Sequence, residues 1–126
     1  MRDSMKEFWK YKFINPDPTL RSNLMAFGFE IGEGWIPIMR VLCKNIQAVI
    51  DSDPEKYKDF EFTQVKEKWG GLRVYCNRSF DEIEELIEAA RREADKTCEV
   101  CGKRGKLRED RPWIQTLCDR CSKEVK

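Results

Sequence analysis

Two CxxC pairs near the carboxyl end of the chain constrain its fold more than any other feature. Sixteen residues separate the pairs, which consist of Cys98 and Cys101 and of Cys118 and Cys121. This is the ligand spacing of a tetrahedral zinc site. Because all four ligand positions are filled, we expect a structural Zn²⁺ rather than a catalytic one. A catalytic zinc, redox-active thiols and an iron–sulfur cluster are the alternatives.

The residues around the cysteines predict the shape of the metal module. Gly102 follows the second ligand and permits the tight backbone of a zinc knuckle. Gly105 and Pro112 bracket a segment that can form a small hairpin, and Cys118 would begin a short terminal helix. A knuckle, a hairpin and a helix start are together typical of a treble clef. A zinc ribbon is the nearest alternative.

The chain has the length of one domain, with a boundary predicted near Thr97. Its 126 residues would divide into an α+β core domain (1–97) and a zinc-binding module (98–126) packed on it. The 24 basic and 23 acidic side chains give a formal net charge of +1, and four thiolates with one Zn²⁺ would change it to about −1. A chain so close to neutral lacks the field that attracts polyanions, so nucleic-acid binding would need a local basic patch.

The composition argues against several classes of function. The chain contains no histidine, which removes the usual general base near neutral pH and every Ser-His or Cys-His nucleophile. Residues 1–15 carry Lys6, Lys10 and Lys12, unlike a signal peptide. No apolar run reaches the roughly 18 residues of a membrane span. Six cysteines, with CxxC spacing, fit a reducing compartment, so we expect a cytoplasmic protein without a membrane partner.

Two long segments have the periodicity of amphipathic helices. Residues 35–51 carry apolar side chains three and four apart, and Pro37 suits a first helical turn. Residues 80–96 repeat the same pattern after Ser79 and Glu82, which have the spacing of a capping box. Both segments are predicted to be helices that face the core.

The first third of the chain gives weaker signals. Ser4 and Glu7 have capping-box spacing ahead of an apolar stripe, which predicts a short helix ending near Phe13. A second short helix is predicted over residues 19–26. Residues 28–34 contain three glycines and are predicted to form a loop.

A change to a period of two after Phe60 predicts a β-hairpin. Gly70 and Gly71 offer both positive-φ residues of a two-residue turn. With that turn the cross-strand pairs would be Trp69–Leu72, Glu67–Val74 and Val65–Cys76. A bulge between Phe62 and Val65 would keep Phe60 and Phe62 in the core. The predicted fold is therefore α+β, with helices packed on a small antiparallel hairpin sheet and a C-terminal treble-clef-like or zinc-ribbon-like module.

Cations on the hairpin and on the knuckle define two candidate surfaces. The outer face of the hairpin would carry Lys66, Lys68, Arg73 and Tyr75. It could bind an anion or an acidic partner, or it could simply be solvated. The knuckle loop carries Lys103, Arg104 and Lys106. These cations could contact phosphate, or they could screen the thiolates.

Several other residues invite a functional interpretation but are expected to be structural. Glu67 points toward the core by its parity, so we expect it to pair with an arginine or to lie at the sheet margin. Glu67 and Arg73 are also the residues that would serve an enzyme or a binder of small anions. Cys43 and Cys76 are expected to be small core side chains. The four tryptophans are likewise expected in the core: Trp9, Trp35, Trp69 and Trp113.

The run KEKWGGLR in the hairpin, Gly34-Trp35 at the helix start and the cysteine-containing segments together resemble a group of small phage and prophage proteins. The resemblance extends from about residue 28 to residue 121. It implies a phage-related origin and a zinc-stapled module, and it implies no catalytic residues. It also favours accessory roles, such as binding a host protein, countering a defence system or handling nucleic acid.

These observations together predict a non-enzymatic binding protein of an infected or lysogenic bacterial cell. A host protein or complex is the expected partner. The alternatives are a nucleic-acid-binding module that uses the basic hairpin face and knuckle loop, and a binder of a small anionic ligand.

Overall fold

The computed structural model describes residues 5–17, 19 and 23–124. Its α-helices and β-strands confirm the α+β fold. In chain order they are β1 (Phe29–Glu30), α1 (Ile36–Ser52), β2 (Phe62–Lys68), β3 (Gly71–Cys76), α2 (Asp81–Ala94), β4 (Lys106–Arg108), β5 (Gln115–Leu117) and α3 (Asp119–Glu124). Short 3₁₀ turns form at Met25–Phe27 and Glu33–Trp35.

The larger sheet has the order β1-β2-β3 and contains one strand that was not predicted. β2 and β3 form the antiparallel hairpin, whereas β1 runs parallel to β2 with Phe29 opposite Val65. The prediction of a loop over residues 28–34 is therefore wrong at Phe29 and Glu30. A strand of two residues is too short to give a periodic signal, and it forms because Phe29 is fully buried against the core.

The hairpin turn lies one residue earlier than predicted. Lys68 pairs with Gly71, so Trp69 and Gly70 are the two loop residues, with φ of 56° and 82°. The carboxylate of Glu67 accepts a hydrogen bond from the Gly70 N–H at 2.7 Å, which stabilises this turn. Positive φ at both loop residues is the type I′ pattern that matches the strand twist.

The predicted cross-strand pairs are therefore wrong. Glu67 lies opposite Leu72 and Val65 opposite Val74, and Lys66 rather than Lys68 faces Arg73. Because the loop lies one residue earlier, each residue of β2 pairs with a residue two positions earlier in β3 than predicted. A shift of two positions leaves each side chain on the same face of the sheet, so the predicted faces are unchanged. The predicted bulge is confirmed, because the register shifts between Phe62 and Gln64. Phe60 and Phe62 are accordingly buried.

The two long helices are confirmed, and α2 contacts both α1 and β3. Pro37 lies in the first turn of α1, where its missing N–H leaves no helical hydrogen bond unmade. The capping box predicted for α2 is wrong. Phe80 occupies the N-cap position without a side-chain hydrogen bond, and the Glu82 carboxylate instead accepts a hydrogen bond from Tyr57. The core-facing stripes of the helices are Met39, Leu42, Cys43, Ile46, Ile83, Ile87, Ala90 and Ala94.

Residues 5–13 form turns rather than the predicted α-helix. Met5, Phe8 and Phe13 are nevertheless buried, as the apolar stripe predicted. Glu7 does not serve as a cap and instead forms an ion pair with Arg40, with 2.6 Å between Oε1 and Nε. Ser4, the predicted N-cap, lies outside the described residues. So do residues 20–22 of the second predicted helix, whose last residues belong to the 3₁₀ turn Met25–Phe27.

The prediction that all four tryptophans lie in the core is correct only for Trp35, which is fully buried. The side chains of Trp9, Trp69 and Trp113 are 37%, 68% and 73% exposed. Cys43 is buried, and burial raises the pKa of its thiol. None of the helices within the described ranges is long and apolar enough to cross a bilayer.

Candidate metal centre

The first CxxC pair lies in a tight knuckle that follows α2. The Gly102 N–H donates to the Cys98 carbonyl at 2.9 Å, and the Cys98 N–H donates to the Lys103 carbonyl at 2.7 Å. Gly102 has a φ of 84°, a left-handed conformation that glycine adopts without strain. These contacts explain why the chain carries glycine directly after Cys101.

The second pair follows a short hairpin. β4 and β5 pair in antiparallel fashion, with Lys106 opposite Leu117, and β5 leads directly into Cys118 and α3. The Cys121 N–H donates to the Cys118 sulfur at 3.4 Å. This backbone donor helps to orient the Cys118 sulfur at the start of α3.

The four cysteine sulfur atoms form one compact cluster. The Sγ atoms of Cys98, Cys101, Cys118 and Cys121 all lie within 4.8 Å of one another, and those of Cys101 and Cys118 are 3.6 Å apart. A tetrahedral site with Zn–S bonds of about 2.3 Å has sulfurs roughly 3.8 Å apart, whereas a disulfide needs about 2.05 Å. All four cysteines are free. The cluster therefore has the donors and the spacing to hold a metal ion.

Backbone donors favour the thiolate form at two of the four cysteines. Burial works to raise the pKa of Cys98, but N–H groups of Cys118, Cys101 and Val100 outweigh it and lower the pKa to about 6. The Cys121 N–H lowers the pKa of Cys118. At Cys121, burial and the neighbouring thiols raise the pKa to about 12. Neighbouring thiolates repel one another, and a divalent cation would remove that repulsion.

Glu99, between the first two ligands, connects the cysteine cluster to the core. Its carboxylate accepts a hydrogen bond from the Gly32 N–H at 2.9 Å, and its backbone carbonyl accepts one from the Gly34 N–H at 2.7 Å. Burial raises the pKa of this carboxyl group. The indole N–H of Trp35 donates to the Thr97 carbonyl at 2.8 Å just before the cluster. The segment that enters α1 is thus bonded directly to the knuckle.

A second contact joins the metal module to the β2–β3 turn. The Thr116 hydroxyl donates to the Gly70 carbonyl at 2.7 Å, in a buried position. A side chain on Gly70 would overlap Leu107 of β4. The sequence did not predict the contacts of Glu99 with the segment before α1, or those of Gly70 with Thr116 and Leu107. The sequence does show an acid between two cysteines and glycines at positions 32, 34 and 70. These residues follow no periodic pattern, so nothing in the sequence identifies what they contact.

The cations predicted on the hairpin do share one outward face. Lys66 lies opposite Arg73, and Gln64 lies opposite Tyr75, whose side chain is exposed. None of Lys66, Lys68 and Arg73 forms an ion pair with any residue that the structure describes. Lys66 and Arg73 are half-buried and Lys68 is exposed, whereas the cations predicted on the knuckle are all exposed: Lys103, Arg104 and Lys106. Arg104 forms an isolated backbone bridge with Thr97.

Glu67 lies at the sheet margin, in agreement with one of its two predicted placements. It is half-buried near the end of β2, and its carboxylate holds the turn through the Gly70 N–H. It faces Leu72 across the hairpin rather than Arg73. This geometry gives Glu67 a structural role.

The comparisons with known proteins add no relative: no protein-family model matches the chain, and no curated protein or solved structure is significantly similar to it. Its function has to be argued from its own residues.

Proposed function

We propose that this chain is a non-enzymatic binding protein whose carboxyl end is folded around one structural Zn²⁺. The closed set of four cysteine sulfurs, all within 4.8 Å of one another, is the observation that carries the proposal. Such a set leaves no position for water or substrate, and thiolates prefer Zn²⁺ over harder divalent ions. The metal would stabilise a surface rather than take part in a reaction.

The order of elements favours a treble clef over a zinc ribbon. The first pair of ligands lies in a knuckle, and a hairpin then leads to a second pair at the start of α3. In a ribbon the second pair would lie in another knuckle. In this proposal residues 98–126 are a module packed on a core of residues 1–97.

The proposed partner is a protein or complex of a bacterial host. The resemblance of the KEKWGGLR hairpin and the cysteine segments to phage and prophage proteins supports an accessory or anti-defence role in the cytoplasm of an infected or lysogenic cell. Exposed tryptophans at the junction of hairpin and metal module also support binding, because tryptophan is enriched at the energetic centres of protein interfaces.

Affinity capture can test this function directly. The tagged full-length chain would be expressed in bacterial cells and purified with and without nuclease treatment, and its metal content would be measured in the same sample. We expect one Zn²⁺ per chain and one co-purifying protein in constant ratio that survives nuclease. Loss of every co-purifying protein after nuclease would contradict a protein partner, and metal-free protein would contradict the zinc assignment.

Nucleic-acid binding is a second candidate, favoured by one observation. Lys66, Lys68 and Arg73 have no ion-pair partner among the described residues and lie on the hairpin that ends in the exposed Trp69. Cations beside an aromatic ring are typical of single-strand binding sites. In that case affinity would fall steeply with salt, because each phosphate contact releases counterions.

A further inference from the structure

An apolar cleft lies where the hairpin meets the metal module. It encloses about 380 Å³ between the end of β2 and the loop that precedes β5. We call it the tryptophan cleft, and it is lined by Trp69, Pro112, Trp113, Ile114, Lys66, Glu67 and Lys68. One wall belongs to the hairpin and the other to the metal module. Thr116 and Leu107 of the metal module both contact Gly70 of the hairpin turn, which fixes the position of one wall relative to the other.

The two indoles of the cleft are unusually exposed for their size. Trp69 is 68% and Trp113 is 73% exposed. Trp69 also has a φ of 56°, where asparagine or glycine would be less strained. A large apolar side chain in a strained turn does not serve the hairpin itself. Exposed aromatics around a concave surface are instead typical of a binding site.

The β2 side of the cleft carries a net positive charge, because two lysines there accompany one acid, Glu67. Lys66 and Lys68 form no ion pair within the described part of the chain, whereas Arg108 and Arg111 of the metal module pair with Asp119 and Asp110. The Glu67 carboxylate is already engaged by the Gly70 N–H. Carboxylates of a partner could therefore approach Lys66 and Lys68 without displacing an existing ion pair.

The charges that line the cleft discriminate between the possible partners. Two lysines and one acid, Glu67, line it. On the opposite loop Glu109 and Asp110 precede Pro112, and Asp110 is paired with Arg111. A nucleic acid would need a continuous track of cations along its phosphates, which this lining does not offer. A protein segment can instead place one apolar side chain between the indoles and its carboxylates near the lysines.

We infer that the tryptophan cleft binds a protein segment in which a large apolar side chain is flanked by acidic residues. This inference rests on the proposed function and names the surface and the partner chemistry for it. The apolar anchor fills the space between Trp69 and Trp113, and its flanking carboxylates pair with Lys66 and Lys68. The zinc module contributes one wall, so the metal acts on binding by positioning Trp113.

A synthetic peptide can test the inference on the zinc-loaded full chain. The probe is a fluorescein-labelled peptide with one leucine between two pairs of aspartates. One control peptide carries serine instead of leucine, a second carries lysines instead of aspartates, and the third probe is single-stranded oligothymidylate. We expect the acidic leucine peptide to bind at least about tenfold more tightly than each of the three, a difference of about 1.4 kcal/mol. Equal or weaker binding of this peptide, including no binding, would overturn the inference.

Variants of the chain locate the binding site. Trp113→Ser, Trp69→Asn and the pair K66E and K68E should each weaken peptide binding about tenfold, as expected for central contacts. Asparagine tolerates positive φ, so Trp69→Asn preserves the turn. The matched controls are Phe27→Ser, whose side chain is also 73% exposed, and Lys44→Glu on α1. The indole N–H resonance of Trp35, bonded to the Thr97 carbonyl, reports that each variant is folded. Equal losses in the control variants would contradict the assignment.

The capture experiment separates this inference from the proposed function. If wild type and Trp113→Ser retain the same nuclease-resistant partner equally, the cleft assignment is wrong although the protein is a binding protein. If no bait retains a protein partner, the proposed function itself is wrong. Selective loss from the Trp113→Ser bait would support both.

Discussion

The backbone carbonyl of Glu99 accepts a hydrogen bond from the Gly34 N–H at 2.7 Å, which joins the cysteine knuckle to the segment entering α1. So close an approach requires glycine, because a Cβ on Gly34 would lie 2.6 Å from the Gly102 nitrogen. The knuckle and the core are therefore in direct backbone contact. A substitution that distorts the knuckle should therefore also destabilise the core, and the reverse should hold.

Gly34→Ala should destabilise the protein strongly. The added methyl group would meet backbone atoms of the knuckle, which cannot rotate away as a side chain can. We expect a loss of about 3 kcal/mol in the free energy of unfolding, at the upper end for overpacked sites. Urea unfolding followed by circular dichroism measures it.

Gly71→Ala is the matched control for this substitution. A Cβ on Gly71 would have its nearest neighbour 3.6 Å away, an ordinary contact, and Gly71 lies in β3 without positive φ. We expect a change within about 0.5 kcal/mol. Similar losses for both variants would show that the Gly34 contact with the knuckle is not the cause.

Removal of the metal should loosen the end of the chain while the core remains folded. A strong chelator at neutral pH would leave the four sulfurs without the ion that would hold them together, and the small β4–β5 hairpin cannot hold the module alone. We expect residues 98–124 to lose hydrogen-exchange protection and α2 to keep it. Unchanged protection of residues 98–124 after verified metal removal would contradict a structural role for the metal.

The parts of the fold that could be predicted from the sequence are those with a long repeat. α1 and α2 each span several turns, so their apolar stripes identified them within a few residues. The cluster of four cysteines was predicted for a different reason: CxxC pairs have the spacing that a tetrahedral metal site requires. In both cases the pattern consists of residues a few positions apart, so the sequence alone displays it.

The features that escaped prediction depend on contacts between distant segments. In the run Trp69-Gly70-Gly71 either dipeptide could form the turn. The turn forms at the first dipeptide, where Gly70 contacts Glu67, Thr116 and Leu107. Trp69 and Trp113 were expected in the core because a sequence does not distinguish a buried indole from one exposed at a binding surface. Their exposure became evident only once the metal module was placed beside the hairpin.

Acid should weaken the contact between Glu82 and the segment before β2. Hydrogen bonds from Tyr57 and Lys56 lower the pKa of Glu82 from 4.5 to about 2. Because the folded-state pKa is the lower one, the contribution is present above pH 4.5 and is lost progressively as the pH falls toward 2. Glu82→Gln should therefore reduce stability at pH 6 and have a smaller effect at pH 3.

The measurement compares unfolding free energies of wild type and variant at each pH. Taking their difference cancels any effect of acid on the cysteine cluster, because that cluster is the same in both proteins. Glu85→Gln, at an exposed position of the same helix, is the control and should give a small difference that does not vary with pH. A constant difference for Glu82→Gln across this range would contradict the role of the Tyr57 contact.

Trp69→Asn should stabilise the hairpin even though it removes a large apolar side chain. The indole is mostly exposed, so its loss forfeits little burial, and asparagine adopts the left-handed conformation of this turn at lower cost. We expect the free energy of unfolding to rise by about 0.5–1 kcal/mol. Thermal unfolding of the zinc-loaded protein measures the change, with Trp113→Ser, which lies outside the turn, as the control expected to change little. A lower stability for Trp69→Asn would mean that the indole supports the fold. A higher stability together with weaker binding of the acidic leucine peptide would mean that the strain at Trp69 serves binding.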